Sequence, residues 1–130
     1  MWLVIALGLA SAAAPSGQGV TAKGTAFGPR QRLVCDWFTN FENSRLGHCK
    51  VGGRTVPGFE DGASIECAGR ACEQLDAEAR KVAGWKQREP VTGTFTVEFH
   101  GRVGPRREPR YLGDGHRTVL IERLVKVEKR

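Results

Sequence analysis

The strongest strand signals in the sequence lie in two segments, residues 91–100 and 118–127, and the first of them alternates apolar and polar side chains. One face of the first segment carries the apolar side chains of Val91, Phe95, Val97 and Phe99. The positions between the last three of these hold a threonine and a glutamate. Alternation with a period of two is typical of a β-strand that buries one face. We therefore predict two strands here, and we expect the elements upstream to pack on them.

Four further strands are predicted upstream, at residues 17–28, 32–38, 45–51 and 63–67. The asparagine-rich stretch around Glu42 has the composition of a turn. The second and third of these strands are therefore expected to form a hairpin. Gly52-Gly53 and Pro57-Gly58 then interrupt the chain before the fourth strand begins.

One segment, residues 72–83, has the apolar spacing of a helix. Its apolar stripe comprises Cys72, Leu75, Ala79 and Val82. Acidic side chains come early in the segment and basic side chains late, which suits the helix dipole. Asp76 and Arg80 lie four residues apart and are expected to pair. Gly84 is the predicted C-terminal stop, and Trp85 is expected to fold back on the core.

The order of elements is several strands, one helix and then two strands. In an OB-fold a helix lies between the third and fourth strands, and the loop before the last strand often binds ligand. The sequence therefore predicts a β-rich (α+β) protein, a small OB-fold-like five-stranded barrel with one helix between the third and fourth strands. An α+β sandwich remains an alternative, because patterning alone does not prove the order of strands in a barrel.

The N-terminal part of the sequence predicts export. An apolar run over residues 2–10 is followed by small residues, and Ala10-Ser11-Ala12 fits the A-x-A cleavage pattern. We predict a signal peptide at 1–14 and a single domain at 17–130, in the periplasm or outside the cell. The run is shorter than the ~20 residues of a membrane-spanning helix. No positive charge precedes it, so an uncleaved anchor or a misassigned start codon remains an alternative.

The four cysteines are Cys35, Cys49, Cys67 and Cys72. An even number in an exported chain indicates disulfides, and four cysteines allow three pairings. The pairings Cys35–Cys49 and Cys67–Cys72 are favoured because both are local. A zinc site is the alternative, but the spacing Cys67-x4-Cys72 is not that of a CxxC pair. The fold is therefore expected to be stapled by disulfides.

Positive charge is concentrated in residues 101–117, between the two best-predicted strands. Five arginines face two carboxylates in this segment, a net charge of +3 in a chain whose formal net charge is +6. The guanidinium group suits phosphate, sulfate and carboxylate, and a tyrosine adds a stacking surface. The candidate binding residues are Arg102, Arg106, Arg107, Arg110, Tyr111 and Arg117. Pro105 and Pro109 stiffen the segment, which favours binding over mere solubility.

The predicted partner is anionic. Anionic glycans, lipid headgroups and envelope proteins all fit an exported cationic surface, whereas export argues against nucleic acid. No transmembrane segment is expected after signal cleavage, and the oligomeric state is not predicted. The alternative is an envelope structural or interaction protein without a small ligand, whose charge keeps it soluble.

The sequence assigns no catalytic residue, metal ligand or cofactor. The three histidines, His48, His100 and His116, have no spacing that brings them together. No GxSxG, HExxH or Gly-Lys-Ser/Thr phosphate loop is present. A basic nuclease would need acidic metal ligands such as Glu98, Asp114 and Glu122, but no motif supports that use. We predict a binding module that is not an enzyme, with a small hydrolase or nuclease as the weaker alternative.

Aromatic residues cluster at the predicted hairpin, at Trp37, Phe38 and Phe41. Beside Cys35, they are expected to form core packing next to a disulfide. The alternative is that they form the rim of a ligand cleft.

Several short motifs resemble those of small exported proteobacterial proteins with an OB-like barrel. They are Phe41-Glu42-x-Ser44 followed by Cys49, then Gly104, and then Tyr111-Leu-Gly-Asp-Gly115 before a Val-Leu-Ile-Glu strand. The resemblance covers roughly residues 31–127. It implies the fold and the compartment, and it transfers no catalytic residue to this chain.

Overall fold

The computed structural model describes residues 19–22, 24–40, 42–106 and 116–130. These ranges contain eight strands and one helix. The elements are β1 Val20–Ala22, β2 Thr25–Phe27, β3 Gln31–Thr39, β4 Ser44–Val51, β5 Arg54–Thr55, β6 Ala63–Cys67, α1 Ala71–Ala83, β7 Gly93–Val103 and β8 Arg117–Lys129. The predicted signal peptide lies outside the described residues. No helix in the described ranges is long and apolar enough to cross a membrane.

The strands form two sheets. β1 and β2 make a small antiparallel hairpin, and the other six strands make one sheet in the order β3-β7-β8-β6-β4-β5. β6 and β8 run parallel, whereas the remaining neighbours are antiparallel. β3 pairs with β4 as well as with β7. The five strands β3, β7, β8, β6 and β4 are therefore each paired with at least two others, so following the pairings from β3 returns to β3.

The predicted alternation in β7 is confirmed. Phe95, Val97 and Phe99 are at most 1% exposed and belong to one core with residues of β3, β8 and α1. Burial of apolar side chains of this size stabilises the fold by roughly 1.5–3 kcal/mol each. The prediction of a mainly β protein with one helix is therefore confirmed.

β7 is displaced along the chain relative to the prediction, because it runs from Gly93 to Val103 rather than from Val91 to His100. Gly101 allows this extension. A Cβ atom at Gly101 would lie 2.2 Å from the carbonyl oxygen of Leu120 on β8, so only glycine permits so close an approach. The extension places Arg102 inside the sheet rather than in the connection beyond it.

The helix begins and ends close to the predicted bounds. Arg80 and Asp76 pair at 2.8 Å as expected, and Gly84 ends the helix in the left-handed conformation. Trp85 packs against the core, also as expected. The buried stripe differs from the prediction, since it comprises Ala71, Leu75 and Ala79. Cys72 instead points towards β6, where it forms a disulfide.

Both predicted disulfides are present, and the described residues contain no other cysteine. Cys35 and Cys49 join β3 to β4 within the core, at 1% and 0% exposure. Cys67 and Cys72 join the end of β6 to the first turn of α1. Each bridge therefore fixes a pair of elements that are also consecutive in the chain.

Two features of the N-terminal half differ from the predictions. The single strand expected at 17–28 is a hairpin of β1 and β2, because Gly24 turns the chain with a φ of 79°. The short strand β5 was not predicted. It follows the glycine pair 52–53, which allows the chain to turn back and pair with the end of β4.

Candidate functional site

The connection between β7 and β8 leaves the sheet from a fixed base. The N–H group of Gly104 donates to the carbonyl oxygen of Thr118 at 2.7 Å. A Cβ atom at Gly104 would lie 3.1 Å from this oxygen and from the ring of Phe27. The close packing at Gly104 therefore joins the two ends of the connection and places them in contact with Phe27 on β2.

Arg117 ties the same base to a second segment, residues 57–62. Its guanidinium donates to the carbonyl oxygens of Gly104 at 2.9 Å and Pro57 at 3.4 Å. Gly58 lies against the guanidinium, since a Cβ there would be 2.7 Å from the Nη2 atom of Arg117. The guanidinium group of Arg117 thus lies between the base of the connection and the 57–62 segment, and its hydrogen bonds link the two.

Arg106 is the most accessible of the candidate arginines that the structure describes, with its side chain 51% exposed. It lies 3.3 Å from the carboxylate of Asp61 and 3.9 Å from that of Glu60, which is itself 76% exposed. Exposed ion pairs of this kind contribute only about 0–1 kcal/mol. Arg106 is therefore placed by its neighbours while part of its guanidinium still faces solvent.

Two other basic side chains approach the same segment. The ring nitrogen Nδ1 of His116 lies within ion-pair distance of the Asp61 carboxylate. Arg45 on β4 donates to the carbonyl oxygen of Asp61 at 3.4 Å. We call the four residues Arg45, Arg106, His116 and Arg117 the basic cluster. Its three arginines outnumber the carboxylates of Glu60 and Asp61 by one.

Arg102 has a different environment from the other candidates. The residue is 7% exposed, and it donates to the Glu122 carboxylate at 3.1 Å and to the carbonyl oxygen of Gly28 at 3.1 Å. A buried charge requires such partners, because burial removes its hydration. Arg102 therefore links β7 to β8 and to the end of β2. The remaining candidates, Arg107, Arg110 and Tyr111, lie outside the described residues.

The three histidines are not brought together. His116 faces Asp61, His48 faces Asp36 on β3, and His100 stands on β7 opposite Arg123. The described ranges contain no group of three or more His, Cys, Asp or Glu side chains that could hold a metal ion.

The acidic residues considered for a nuclease do not form a site either. Glu98 pairs with Arg32, and Glu122 pairs with Arg102 and Arg30. The third, Asp114, lies outside the described residues. Both described carboxylates are therefore engaged by arginines.

The aromatic cluster divides between the core and the surface. Trp37 is 4% exposed, and its ring centroid is 5.2 Å from that of Phe95. Its indole N–H donates to the hydroxyl oxygen of Ser44 at 2.8 Å. Phe38 points outwards and is 46% exposed. Core packing is therefore the role of Trp37 but not of Phe38, and Phe41 lies outside the described residues.

A pocket of about 420 Å³ lies beside Trp37, between the β3–β4 hairpin and the first turns of α1. The carboxylates of Glu42, Glu66 and Asp76 line it. Its charge is therefore opposite to that of the basic cluster, and it does not suit an anion.

A further arrangement was missed by the sequence predictions. The Nδ1 atom of His48 lies 3.0 Å from Oδ2 of Asp36, and Arg130 lies 2.8 Å from Oδ1 of the same carboxylate. The predicted Cys35–Cys49 disulfide was the sequence feature that could have indicated this contact, because Asp36 follows Cys35 and His48 precedes Cys49. Joining the two cysteines brings these side chains together on the opposite face of the strands.

No protein-family model, curated protein or solved structure matches this chain. The chemistry of these sites is therefore the basis for assigning a function. The basic cluster offers guanidinium groups that can bind an oxyanion through paired N–H donors. Its two carboxylates, those of Glu60 and Asp61, lie within ion-pair distance of Arg106 and His116.

Proposed function

We propose that this chain is an exported, non-enzymatic binding module for anionic ligands, built on an OB-fold-like five-stranded barrel. The pairing cycle β3-β4-β6-β8-β7-β3 supports the barrel. Among these five strands, α1 follows the third and precedes the fourth, as in an OB-fold. The loop before the last strand of an OB-fold often binds ligand, and here that loop is the connection between β7 and β8.

The observation that carries the proposal is the placement of Arg106. Its guanidinium is half-exposed at the fixed base of this connection, where Asp61 holds it at 3.3 Å, and its second partner Glu60 lies 3.9 Å away and is itself exposed. An anionic ligand can replace so weak a partner at little cost. Arg107 and Arg110 come next in the sequence and add positive charge to the same connection.

The two disulfides are consistent with an oxidising compartment such as the periplasm or the extracellular space. Anionic groups presented there include sulfated or phosphorylated glycans and lipid headgroups. We propose an anionic glycan as the partner, because the guanidinium groups of the basic cluster, gathered around residues 57–62, suit its sulfate or phosphate groups.

One observation favours a second function, that of an envelope structural or interaction protein without a small ligand. Arg102 and Arg117 use their guanidinium groups to join segments of the protein itself. In this alternative the remaining positive charge serves only solubility and weak surface association.

Three single substitutions, each removing one charge, distinguish these two functions. The measurement is retention of each variant on heparin, a sulfated glycan, at low salt. We expect Arg106→Gln to weaken binding by about two- to fivefold, the loss of roughly 0.5–1 kcal/mol from an exposed contact. We expect Glu60→Gln to strengthen it by a similar factor, because a competing carboxylate is removed. Both effects should shrink as salt rises.

The matched control is Arg123→Gln, which removes an exposed positive charge from β8 outside the basic cluster. If net charge alone governs retention, Arg106→Gln and Arg123→Gln will have equal effects, and the proposed site is wrong. Vesicles containing phosphatidylglycerol provide a parallel arm. Tighter binding to the vesicles than to heparin would identify lipid headgroups as the source of the anion.

A further inference from the structure

A second cationic recess lies on the outer surface of the sheet, at β3 and its two neighbours β4 and β7. His48 and Lys50 on β4, Thr96 on β7 and Arg130 line it around Asp36. Its volume is about 530 Å³. None of the basic cluster lines this recess, so its donors differ from those of the proposed site, although Arg45 and Glu60 lie next to His48.

The backbone at the recess is irregular. β3 and β4 pair through Val34 with Lys50 and through Asp36 with Gly47, which leaves His48 and Cys49 opposite the single residue Cys35. This is a β-bulge, and His48 adopts the left-handed conformation with a φ of 49°. Glycine is the usual residue in that conformation, because a Cβ atom there costs about 1–2 kcal/mol.

Contacts on both faces of β3 and β4 hold His48 in its strained backbone conformation. The Cys35–Cys49 disulfide clamps the bulge within the core, and Asp36 holds the imidazole of His48 on the outer surface. Strained residues that are fixed by several contacts cluster at functional sites. The position of His48 therefore points to a role for its side chain in addition to its place in the bulge.

The hydrogen bonds orient the imidazole. Because Nδ1 lies against the Asp36 carboxylate, the network assigns a proton to this nitrogen, so Nε2 faces solvent on a side chain that is 83% exposed. The second oxygen of Asp36 is occupied by Arg130. The backbone of Lys50 pairs with β3 and β5, whereas its side chain forms no hydrogen bond or ion pair with any residue in the described ranges.

We infer that this recess binds one tetrahedral oxyanion, a phosphate or sulfate group. Nε2 of His48, Nζ of Lys50 and the remaining N–H groups of Arg130 supply the donors, and the hydroxyls of Thr55 and Thr96 lie in the same recess. With a protonated imidazole, three positive charges face the single negative charge of Asp36. With a neutral imidazole, two positive charges remain and Nε2 becomes an acceptor, so binding weakens as pH rises.

The charged groups around His48 come from several segments. Asp36 lies on β3, Lys50 and Arg45 on β4, Glu60 in the 57–62 segment, and Arg130 after β8. Of the groups that face the recess, the imidazole is the type that changes charge between about pH 5 and 8. Inorganic sulfate keeps the same charge over this pH interval. A change in its affinity with pH therefore reports on the protein and not on the ligand.

The test is a titration with inorganic sulfate, monitored through the ring carbon–proton NMR signals of the three histidines. We expect saturable shifts of the His48 signals, with those of His100 and His116 nearly unchanged. Affinity at pH 5.5 should exceed that at pH 8 by on the order of fivefold, the contribution of one ion pair at an exposed site. Parallel titrations with inorganic phosphate and glucose 6-phosphate distinguish the free ion from a phosphorylated sugar.

Three variants complete the test. His48→Gly suits the left-handed backbone and should weaken sulfate binding at pH 5.5 by about fivefold and remove its pH dependence while the protein stays folded, measured through the backbone amide NMR signals of Asp36, Lys50 and Thr96. Lys50→Gln should weaken binding severalfold without removing the pH dependence, and His100→Gln is the control that should change neither. The inference is overturned if sulfate leaves the His48 signals unshifted, or if His48→Gly binds sulfate as tightly as the unmodified protein.

Discussion

At the scale of single residues, position within a strand decides whether a charged side chain is available to a ligand. Arg102 and Arg106 are four residues apart and chemically identical. Arg102 lies on β7 and is buried against Glu122, whereas Arg106 lies beyond the strand and is half-exposed. The sequence predicted both as binding residues because it placed the end of β7 three residues too early. Gly101, which allows the strand to continue, gave no signal in the apolar pattern.

The left-handed backbone at His48 predicts an order of stability between two substitutions. His48→Ala and His48→Gly both remove the hydrogen bond to Asp36, but only glycine relieves the strain of a φ of 49°. We expect the glycine variant to be more stable than the alanine variant by about 1 kcal/mol. Urea unfolding at pH 8 measures the difference, and an alanine variant of equal or greater stability would contradict the strained backbone.

At the scale of elements, the sequence predicted well wherever one face of an element is buried. The alternation in β3 and β7 and the helical spacing in α1 result directly from packing on one core. Short β5 was missed because its pattern is too brief to show a period. The hairpin of β1 and β2 was read as one strand, since Gly24 occurs within an otherwise alternating run.

The two disulfides are predicted to contribute unequally, because they close loops of different length. The sequence separations are 14 for Cys35–Cys49 and 5 for Cys67–Cys72. Loop-closure entropy then gives about 3 kcal/mol for the first bridge and about 2 kcal/mol for the second. Replacing both cysteines of a pair with alanine should reproduce this order in urea unfolding. The reverse order would show that the clamp between β3 and β4 is not the stronger staple.

At the scale of the whole molecule, the candidate site could be predicted only in part. The positive charge of the connection is visible in the sequence, but its partners are not. Asp61 lies 45 residues before Arg106, and the two meet only because the 57–62 segment packs beside the β7–β8 connection. The pairing of His48 with Asp36 likewise depends on β3 and β4 being adjacent. Composition can therefore indicate the sign of a ligand's charge, whereas the fold selects which side chains meet it.

The β7–β8 connection and the 57–62 segment are proposed to form one anion-binding surface. The most direct measurement is a map of backbone amide NMR shifts during titration with a sulfated disaccharide at low salt. Working at pH 8 keeps the His48 recess in its weaker state. We predict saturable shifts concentrated at residues 57–62, 104–106 and 116–118, with the exposed β8 residues Arg123 and Lys126 unmoved. Shifts spread evenly over the exposed cations, or no saturable shift at all, would contradict the proposed surface.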